Sequence, residues 1–515
     1  MKKVLKYTLL TILITGFYGC ADFEELENNN NRPSEVPASL ILKGVLADLN
    51  ESPWSSVHYG NQFSSVNYNY YGTNEYWTNA SFNYLTLKNI LKMEEVAAKS
   101  GSLTPYSALG KYLKAVFVVR MTQRVGDIPL DDALKGLDSK APVYSTQKEV
   151  YKYVLRQLEE ANTDLKALIA VNDLSLAGDF YFNNDLTKWR KAVNTFKLRV
   201  LISLSKKEAD ADLQVKSRFV AIVNDPVQYP VMTSNADNMN YVYNGTVQLY
   251  PTNPGNVGFQ KGRYNMAQTY IKGLTDLNDP RVYVTANPAK GLVKPQGALE
   301  ADDFGAYKGA PSGESLDDMS TKFSNGLYSA FNQKRYYSNF VGPEPGVQLS
   351  YWEMCFSIAE GINRGWATGN AATHYENGIK ASMAFYRLFD GASVEITDQD
   401  NNQVLKTVTA SVTNYLAQPS VAYAGNNATG LSQILTQKYL AFFQNSGQEA
   451  FFNYNRTGIP AFHAGPGTGN SGVIPKRWSY PNSEAFYNSD NYKAALQKQF
   501  GNLRDDLNGV LWVNQ

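Results

Sequence analysis

Residues 66–84 combine aromatic rings with side-chain amides in a pattern that indicates ligand binding. The aromatic residues are Tyr68, Tyr70, Tyr71, Tyr76, Trp77 and Tyr84, and the amides are Asn67, Asn69, Asn74, Asn79 and Asn83. Tyrosine and tryptophan offer flat apolar faces with a polar group attached, and asparagine offers a donor and an acceptor on a short arm. A sugar ring is complementary to these groups, because its C–H faces are apolar and its edge carries hydroxyls. The run therefore predicts a site for a carbohydrate-like ligand.

The run follows neither a helical nor a strand period, so it has no regular face to bury and some of its rings should be exposed. The leading candidates for ligand contact are Tyr71, Asn74, Tyr76, Trp77 and Asn79. In the alternative interpretation, Trp77 packs beneath the following helix as a hydrophobic staple. Weaker candidates elsewhere in the chain are Trp54, Tyr328, Tyr336 and Tyr337.

The composition supports binding through neutral groups. Among 515 residues there are 35 tyrosines and 7 tryptophans, and only 18% of the chain is charged. The formal net charge of +1 gives no electrostatic footprint for nucleic acid. An extracellular protein that simply carries a neutral polar surface would have the same composition, so composition alone leaves both interpretations open.

Catalytic and metal-binding motifs are absent from the sequence. There is no GxSxG elbow, no P-loop and no GxGxxG at a strand–helix junction. His58, His374 and His463 lie far apart, without the spacing of a zinc site, and Cys355 falls in an apolar helical pattern typical of a buried thiol. We therefore expect no catalytic residue, no metal and no cofactor. A glycosidase stays an alternative, because two carboxyl groups across a cleft leave no sequence signature.

The N-terminus has the order of a secretory signal. Lys2, Lys3 and Lys6 precede a short apolar core, and Gly19 is followed by Cys20. A small residue before cysteine resembles a bacterial lipobox, which predicts cleavage after residue 19 and lipidation of Cys20. Residues 21–36 contain too few apolar side chains to pack and read as a flexible tether that reaches roughly 50 Å when extended. Ordinary secretion with an unmodified cysteine is the alternative.

Helical periodicity dominates the body of the chain. It predicts helices from Pro37, over about 81–99, after Thr104 with Pro105 at the first helical position, and after a capping box formed by Thr146 and Glu149. Further helices are predicted over 186–206, 349–366, 371–388 and about 429–444, and an alternating pattern over 391–411 predicts a small β hairpin.

These elements predict a mainly α fold of tetratricopeptide-like helical hairpins with a long loop-rich insertion and a small β hairpin. No repeat with a clean period demonstrates that architecture. We expect a signal peptide over 1–19, a lipidated cysteine and tether over 20–36, and a single body over 37–515. Within the body the helical scaffold covers about 37–206 and 349–445, the insertion about 207–348, and a C-terminal wrap about 446–515.

A series of sequence blocks resembles the SusD/RagB family of outer-membrane nutrient-binding lipoproteins from Bacteroidetes. The blocks follow Cys20 in the order of the family and span nearly the whole mature chain. They are GDIPLDDAL (126–134), PVYSTQKEVYKYVLRQLEEA (142–161), GDFYFNNDLTKWRKAVNTFKLRVLISLS (178–205), NDPRV (278–282), WEMCFSIAEGINRGW (352–366), FFQNSGQEAFFNYNRTGIP (442–460) and PKRWSYPNSEAFYNSDNY (475–492). Many of these blocks have a structural explanation, and we expect Arg456-Thr457-Gly458 and Arg477-Trp478 to fix the C-terminal wrap through arginine hydrogen bonds to backbone or carboxylate groups.

The resemblance implies a function as well as a fold. It implies a lipoprotein held in the outer membrane through Cys20, facing the cell exterior, with Asp22, Glu24 and Glu25 similar to a surface-export signal. It implies that an oligosaccharide binds aromatic residues on N-terminal loops. It also implies a partner, a SusC-like TonB-dependent outer-membrane transporter over which the protein closes. Peptides or other nutrients as cargo, a surface glycan hydrolase, and a structural adhesin remain the alternatives.

Overall fold

The computed structural model describes residues 36–67 and 79–515, and in these ranges the protein is mainly helical. This confirms the predicted fold class. None of the helices in these two ranges is both long enough and apolar enough to cross a bilayer.

The helices are numbered here in chain order. They are α1 (Ala38–Asp48), α2 (Val57–Gly60), α3 (Tyr84–Ala97), α4 (Pro105–Val125), α5 (Gln147–Ala170), α6 (Leu186–Ser203), α7 (Val215–Asn224), α8 (Val257–Gln260), α9 (Gln268–Thr275), α10 (Arg281–Thr285), α11 (Leu316–Ser324), α12 (Gln333–Tyr336), α13 (Tyr351–Asn363), α14 (Ala371–Phe385), α15 (Val412–Ala417), α16 (Ala428–Ala441), α17 (Glu449–Thr457), α18 (Asn482–Tyr487) and α19 (Ser489–Phe500).

The strands are short and form antiparallel pairs. They are β1 (Ser64–Val66), β2 (Ile128–Pro129), β3 (Tyr144–Ser145), β4 (Met239–Tyr241), β5 (Tyr264–Met266), β6 (Gly346–Leu349), β7 (Ser393–Thr397) and β8 (Val404–Thr409). The pairs are β1 with β5, β2 with β3, β4 with β6 and β7 with β8. The last pair is the hairpin predicted over 391–411.

Long helices that are neighbours in the chain pack against each other as hairpins. α3 packs on α4, α4 on α5 and α5 on α6, while α13 packs on both α14 and α16. The same spacing of apolar residues that predicts these helices places their buried faces together. For example, Val154, Leu158 and Leu165 of α5 are fully buried. The predicted tetratricopeptide-type stacking is confirmed.

The two predicted helix starts differ in detail. Thr104 and Ser107 form a full capping box at α4, because each side chain accepts a hydrogen bond from the other residue's backbone N–H. At α5 only half of the expected box forms, in which the Thr146 hydroxyl accepts from the Glu149 backbone N–H at 3.3 Å. Both threonines nevertheless mark the first turn correctly.

The region 207–348 is tied to the scaffold by strand pairs that the sequence did not predict. Ser65 of β1 lies opposite Asn265 of β5, and Tyr241 of β4 lies opposite Gly346 of β6. Each of these strands has three or four residues, which is too short to show an alternating pattern. The pairs join segments that are about 200 residues apart in sequence for β1 and β5 and about 105 residues apart for β4 and β6.

A fully buried segment over 442–448 links α16 to α17. Gln444, Ser446 and Gly447 have left-handed backbone conformations, with φ angles of 58°, 58° and 56°. A left-handed residue cannot continue a right-handed helix, so α16 ends at Ala441 rather than near the predicted position 444. We call this stretch the 442–448 segment.

Arginine hydrogen bonds fix the C-terminal region, as predicted. Arg456 binds the carboxylate of Glu360 on α13, while Arg477 forms an ion pair with Asp505 and donates to the Asp506 carbonyl at 2.9 Å. The sequence did not predict that this region would also be helical, in α17, α18 and α19.

Candidate functional site

An aromatic pocket opens where the first turns of the chain meet the β1–β5 pair. We call it the Trp54 pocket. Its walls are Trp54, Tyr59, Ser64, Thr252, Tyr264, Phe331 and Tyr337. Five of these seven side chains are aromatic. None of the seven carries a carboxyl, amine, guanidinium or imidazole group.

Trp54 is held rigidly at the pocket. Its ring meets Phe331 edge-on at a centroid distance of 4.6 Å and Tyr336 at 4.7 Å. Its indole Nε1 donates to the hydroxyl of Tyr250 at 2.9 Å, and its backbone N–H donates to Oε1 of Gln444 at 2.7 Å. The φ angle of Trp54 is +64°, which is uncommon for a residue with a bulky side chain. Surrounding contacts therefore impose a strained backbone here, as is typical of binding sites.

Tyr59 and Tyr264 form the other wall. Their rings stack with an interplanar angle of 19° and a centroid distance of 6.0 Å, and both side chains are half-buried. Tyr264 is the first residue of β5 and lies opposite Val66. Burial raises the pKa of the Tyr59 hydroxyl, and its hydrogen bond with Tyr264 raises it further. The Tyr59 hydroxyl thus stays protonated at neutral pH.

The pocket also contains an unused polar group. Thr252 is 2% exposed, and its hydroxyl has no hydrogen-bond partner among the described residues. A buried hydroxyl without a partner is unfavourable, so a ligand hydroxyl that reached it would gain a hydrogen bond without displacing one. The free space corresponds to only about two water molecules, so a larger ligand would lie across the rings at the mouth.

The predicted binding run connects directly to this pocket. β1 supplies Ser64 to the wall, and three residues later the backbone N–H of Asn67 donates to the Arg263 carbonyl at 2.9 Å. Of the predicted ligand contacts, Tyr71, Asn74, Tyr76 and Trp77 lie outside the described residues, as does the predicted lipidation site Cys20. We refer to residues 68–78 as the 68–78 segment.

Asn79, where the described chain resumes, is exposed and contacts the C-terminal region. Its Oδ1 accepts from the hydroxyl of Ser479 at 2.8 Å, and the next residue, Ala80, donates its backbone N–H to the Ser479 carbonyl at 2.8 Å. The described residues on either side of the 68–78 segment therefore lie beside the Trp54 pocket, at Asn67, and against the C-terminal region, at Asn79 and Ala80.

The remaining aromatic candidates have different positions. Tyr328 is 3% exposed, packs with Ala310 and Met319, and donates its hydroxyl to Glu314 at 2.7 Å. It offers no face to a ligand, and we leave it out of the candidate site. Tyr336 is 2% exposed and supports Trp54 from behind, while Tyr337 lines the pocket.

Sequence reasoning missed Tyr59 and Tyr264. Tyr59 lies in the non-periodic stretch 51–80, which overlaps the predicted binding run. Its location in that stretch was the only feature of the sequence that could have indicated a role for Tyr59. Tyr264 reaches the pocket only through the β1–β5 pair, which the sequence did not reveal.

The pocket is suited to binding rather than to catalysis. Glycoside hydrolysis needs two carboxyl groups on either side of the bond, and no carboxylate lines the pocket. Across residues 36–67 and 79–515, the acidic, histidine and cysteine side chains form no group of three or more that could hold a metal ion. Cys355 is 1% exposed, which confirms the expected buried thiol, and burial raises its pKa to about 12.

Comparisons with known proteins agree with this picture. Residues 36–481 match the SusD-like_2 family, described as starch-binding and associating with the outer membrane. A SusD homologue from Bacteroides fragilis is 30% identical with a TM-score of 0.80, and the match covers 93% of this chain and 100% of that one. A second B. fragilis SusD homologue is 29% identical over the same shares, with a TM-score of 0.76. No curated protein matches.

A more distant structure shares the fold. A chitin-binding SusD homologue from Flavobacterium johnsoniae is 22% identical with a TM-score of 0.63, and the match covers 93% of this chain and 95% of that one. The family match covers most of the chain, and the helical scaffold is the same in relatives with 30% identity. The chain therefore belongs to the SusD-like family of nutrient-binding proteins of the outer membrane.

Proposed function

We propose that this protein captures an oligosaccharide at the cell surface and delivers it to a SusC-like TonB-dependent transporter in the outer membrane. The observation that supports binding is the Trp54 pocket, where a rigid tryptophan, two stacked tyrosines and an unpaired threonine hydroxyl lie together. The 68–78 segment would complete the site, with Tyr71, Asn74, Tyr76 and Trp77 as further contacts and Asn79 at its end.

An oligosaccharide fits the chemistry of this site better than a charged ligand. The pocket walls carry aromatic faces and hydroxyls but no ionised group, and the chitin-binding relative shares the fold. Stacking and a few solvent-exposed hydrogen bonds give modest affinity, in the micromolar to millimolar range. Weak binding suits cargo that must be released to a transporter.

Family membership and the N-terminal sequence support the proposed location. Cleavage after residue 19 would leave a lipidated Cys20, and residues 21–36 would tether the body at the outer face of the membrane. Such a tether leaves the body free to open and close over its transporter while it stays attached.

A glycan array with the soluble chain, from which residues 1–20 are removed, tests the proposed function. We expect binding to a defined set of oligosaccharides, followed by measurable affinity in calorimetry. Binding to peptides alone would identify the alternative cargo and overturn the carbohydrate proposal. New reducing ends released from a bound polysaccharide would show an enzyme instead.

A further inference from the structure

A second cavity, distinct from the Trp54 pocket, lies inside the helical scaffold. The two share no lining residue. Its walls are Gln123, Tyr151, Arg199, Ile202, Ser203, Lys438, Glu449, Phe452, Asn453, Arg456, Val513 and Asn514. None of these side chains is exposed. The free space holds about one or two water molecules, which excludes a sugar, a phosphate or a sulfate.

Two polar groups on its walls are buried without adequate partners. Tyr151 is fully buried, and its hydroxyl lies near the side chains of Ser203 and Gln123 but makes no hydrogen bond of good geometry with the described residues. Lys438 is 3% exposed, and its ammonium donates to the Ser357 hydroxyl at 3.2 Å. Within residues 36–67 and 79–515, no carboxylate forms an ion pair with it. A buried ammonium without a paired anion is strongly unfavourable.

Unlike Lys438, the two arginines on the cavity wall each bind a carboxylate. Arg199 binds both carboxylate oxygens of Glu353, with Nε to Oε1 at 2.5 Å and Nη2 to Oε2 at 2.6 Å. Arg456 binds both oxygens of Glu360. Glu360 is shared with Arg364, whose Nη2 lies 2.8 Å from Oε1. Lys438 and Glu449 are therefore the charged groups of the cavity wall that have no close ion pair among the described residues.

The Glu449 carboxylate is only loosely engaged. Its nearest cationic atom is Nη1 of Arg199, at 4.0 Å from Oε1. Burial raises the pKa of Glu449 to about 7, although Arg199 acts against this rise. Near neutral pH a large share of the molecules therefore carries a neutral Glu449. Burial lowers the pKa of Lys438, and a neutral Glu449 removes one of the three carboxylates, with Glu360 and Glu353, whose charge favours the ammonium.

We propose that this cavity binds one monatomic anion of the chloride type, held by the Lys438 ammonium and the Tyr151 hydroxyl. Nη1 of Arg199, which neither hydrogen bond to Glu353 uses, adds a third donor. The anion would neutralise the buried lysine and satisfy the tyrosine at the same time. Its size fits a space in which a polyatomic anion has no room.

Anion binding would be linked to the protonation of Glu449. An ionised Glu449 repels the anion, whereas the neutral acid can donate a hydrogen bond, so affinity should fall as pH rises through about 7. The charged and titratable groups that face Glu449 are Arg199 on α6, Glu353 on α13, Lys438 on α16, Tyr151 on α5, Glu51 ahead of α2 and Arg456 on its own helix.

Crystals soaked in sodium bromide test the site directly. We expect an anomalous bromine peak within about 3.5 Å of Nζ of Lys438, the reach of a charge-assisted contact, and we expect its loss in Lys438→Met. A water molecule in place of bromide would overturn the proposal.

Thermal unfolding provides the test in solution, with chloride exchanged for gluconate at constant ionic strength. At pH 6 the midpoint should rise with the logarithm of chloride concentration, and this rise should be weaker at pH 8. Glu449→Gln, which is neutral at every pH, should keep the chloride effect and lose its pH dependence. Tyr151→Phe removes only a hydroxyl and should weaken chloride binding about tenfold. An unchanged chloride response in Lys438→Met and Tyr151→Phe would contradict the site.

Discussion

Arg456 donates two parallel hydrogen bonds to Glu360, from Nη1 to Oε1 at 2.5 Å and from Nη2 to Oε2 at 3.0 Å. Both side chains are buried, and Arg456 also donates to the hydroxyl of Ser205 at 2.9 Å. Burial disfavours the charged form of Glu360, but Arg456 and Arg364 outweigh it and hold the pKa at about 2. The pair fastens α17 to α13, and so connects the C-terminal region to the centre of the scaffold.

Breaking this pair should destabilise the protein severely. Glu360→Gln leaves the buried charge of Arg456 without its anion, so the free energy of unfolding should fall by about 3–5 kcal/mol. Urea denaturation measures the change. The matched control is Asp276→Asn in the exposed Lys272–Asp276 pair, where solvent screens the interaction and we expect little effect. Equal effects of the two substitutions would contradict a structural role for the buried pair.

Gly447 should not tolerate a side chain. A Cβ atom at this position would collide with the Glu51 carboxylate, and the φ angle of +56° disfavours any L-residue. Gly447→Ala should lower the free energy of unfolding by about 2–4 kcal/mol. Gly458→Ala is the control, because its φ is +75° but no atom lies within 4 Å of the added Cβ, and it should cost about 1 kcal/mol. Calorimetric melting of the two variants measures both losses of stability. The difference between them gives the cost of the collision with Glu51, because both variants share the cost of a positive φ angle.

The buried carboxyl of Asp127 should make stability depend on pH. Burial raises its pKa to about 6, although its hydrogen bond from the Gln147 backbone N–H opposes the rise. Between about pH 4 and 6 the native state then binds more protons than the unfolded chain, so this group lowers stability as pH increases. The shift corresponds to about 3 kcal/mol.

Asp127→Asn removes this titration and keeps an oxygen for the Gln147 backbone N–H. Relative to the variant, the unmodified protein should lose about 2 kcal/mol of stability between pH 4 and 6.5. Urea titrations across this range measure the difference, with the exposed Asp131→Asn as control. A difference between the two proteins that stays constant with pH would show that Asp127 does not titrate there.

Tyr264 should contribute to ligand binding and little to folding. Tyr264→Ala removes one of the two stacked rings of the Trp54 pocket, so we expect affinity for the best glycan from the array to fall about tenfold or more. Tyr328→Phe is the comparison, because its hydroxyl binds Glu314 away from the pocket and its loss should leave affinity unchanged. Calorimetric titration measures the affinity of each variant. Equal affinities would show that the ligand binds elsewhere.

Cys20 should determine attachment to the membrane. Cys20→Ala removes the proposed acylation site, so the protein should move from the membrane fraction to the soluble fraction while glycan affinity stays the same. Fractionation followed by immunoblotting checks this. Continued sedimentation of the variant with membranes would show that Cys20 is not the anchor.

The helices were predictable because their signals are local. The apolar spacing of α5 and the threonine that precedes α4 lie within a few residues of the structure they specify. The residues at which helices end were harder to predict from the sequence. Ser446 and Gly447 of the 442–448 segment are a pair typical of turns, but they do not specify three left-handed conformations. Distant residues contact this segment, since Gln444 binds the backbone of Trp54 and Gly447 lies against Glu51.

The candidate site was only partly predictable for a related reason. Trp54 was identified from its residue type, but its partner Tyr264 is distant in sequence and joins it through a three-residue strand. Conversely, Tyr328 has the same residue type as Tyr264 and is buried. Residue type indicates which side chains can stack on a sugar, whereas long-range pairing decides which of them reach the surface.

The fixed ends of the 68–78 segment have a consequence for how such proteins can diverge. Asn67 is held by Arg263, and Ala80 is held by Ser479, so both junctions belong to the scaffold and not to the segment. Chains that differ between these two anchored positions would therefore compare ligand preferences while the same two backbone hydrogen bonds hold the flanking residues.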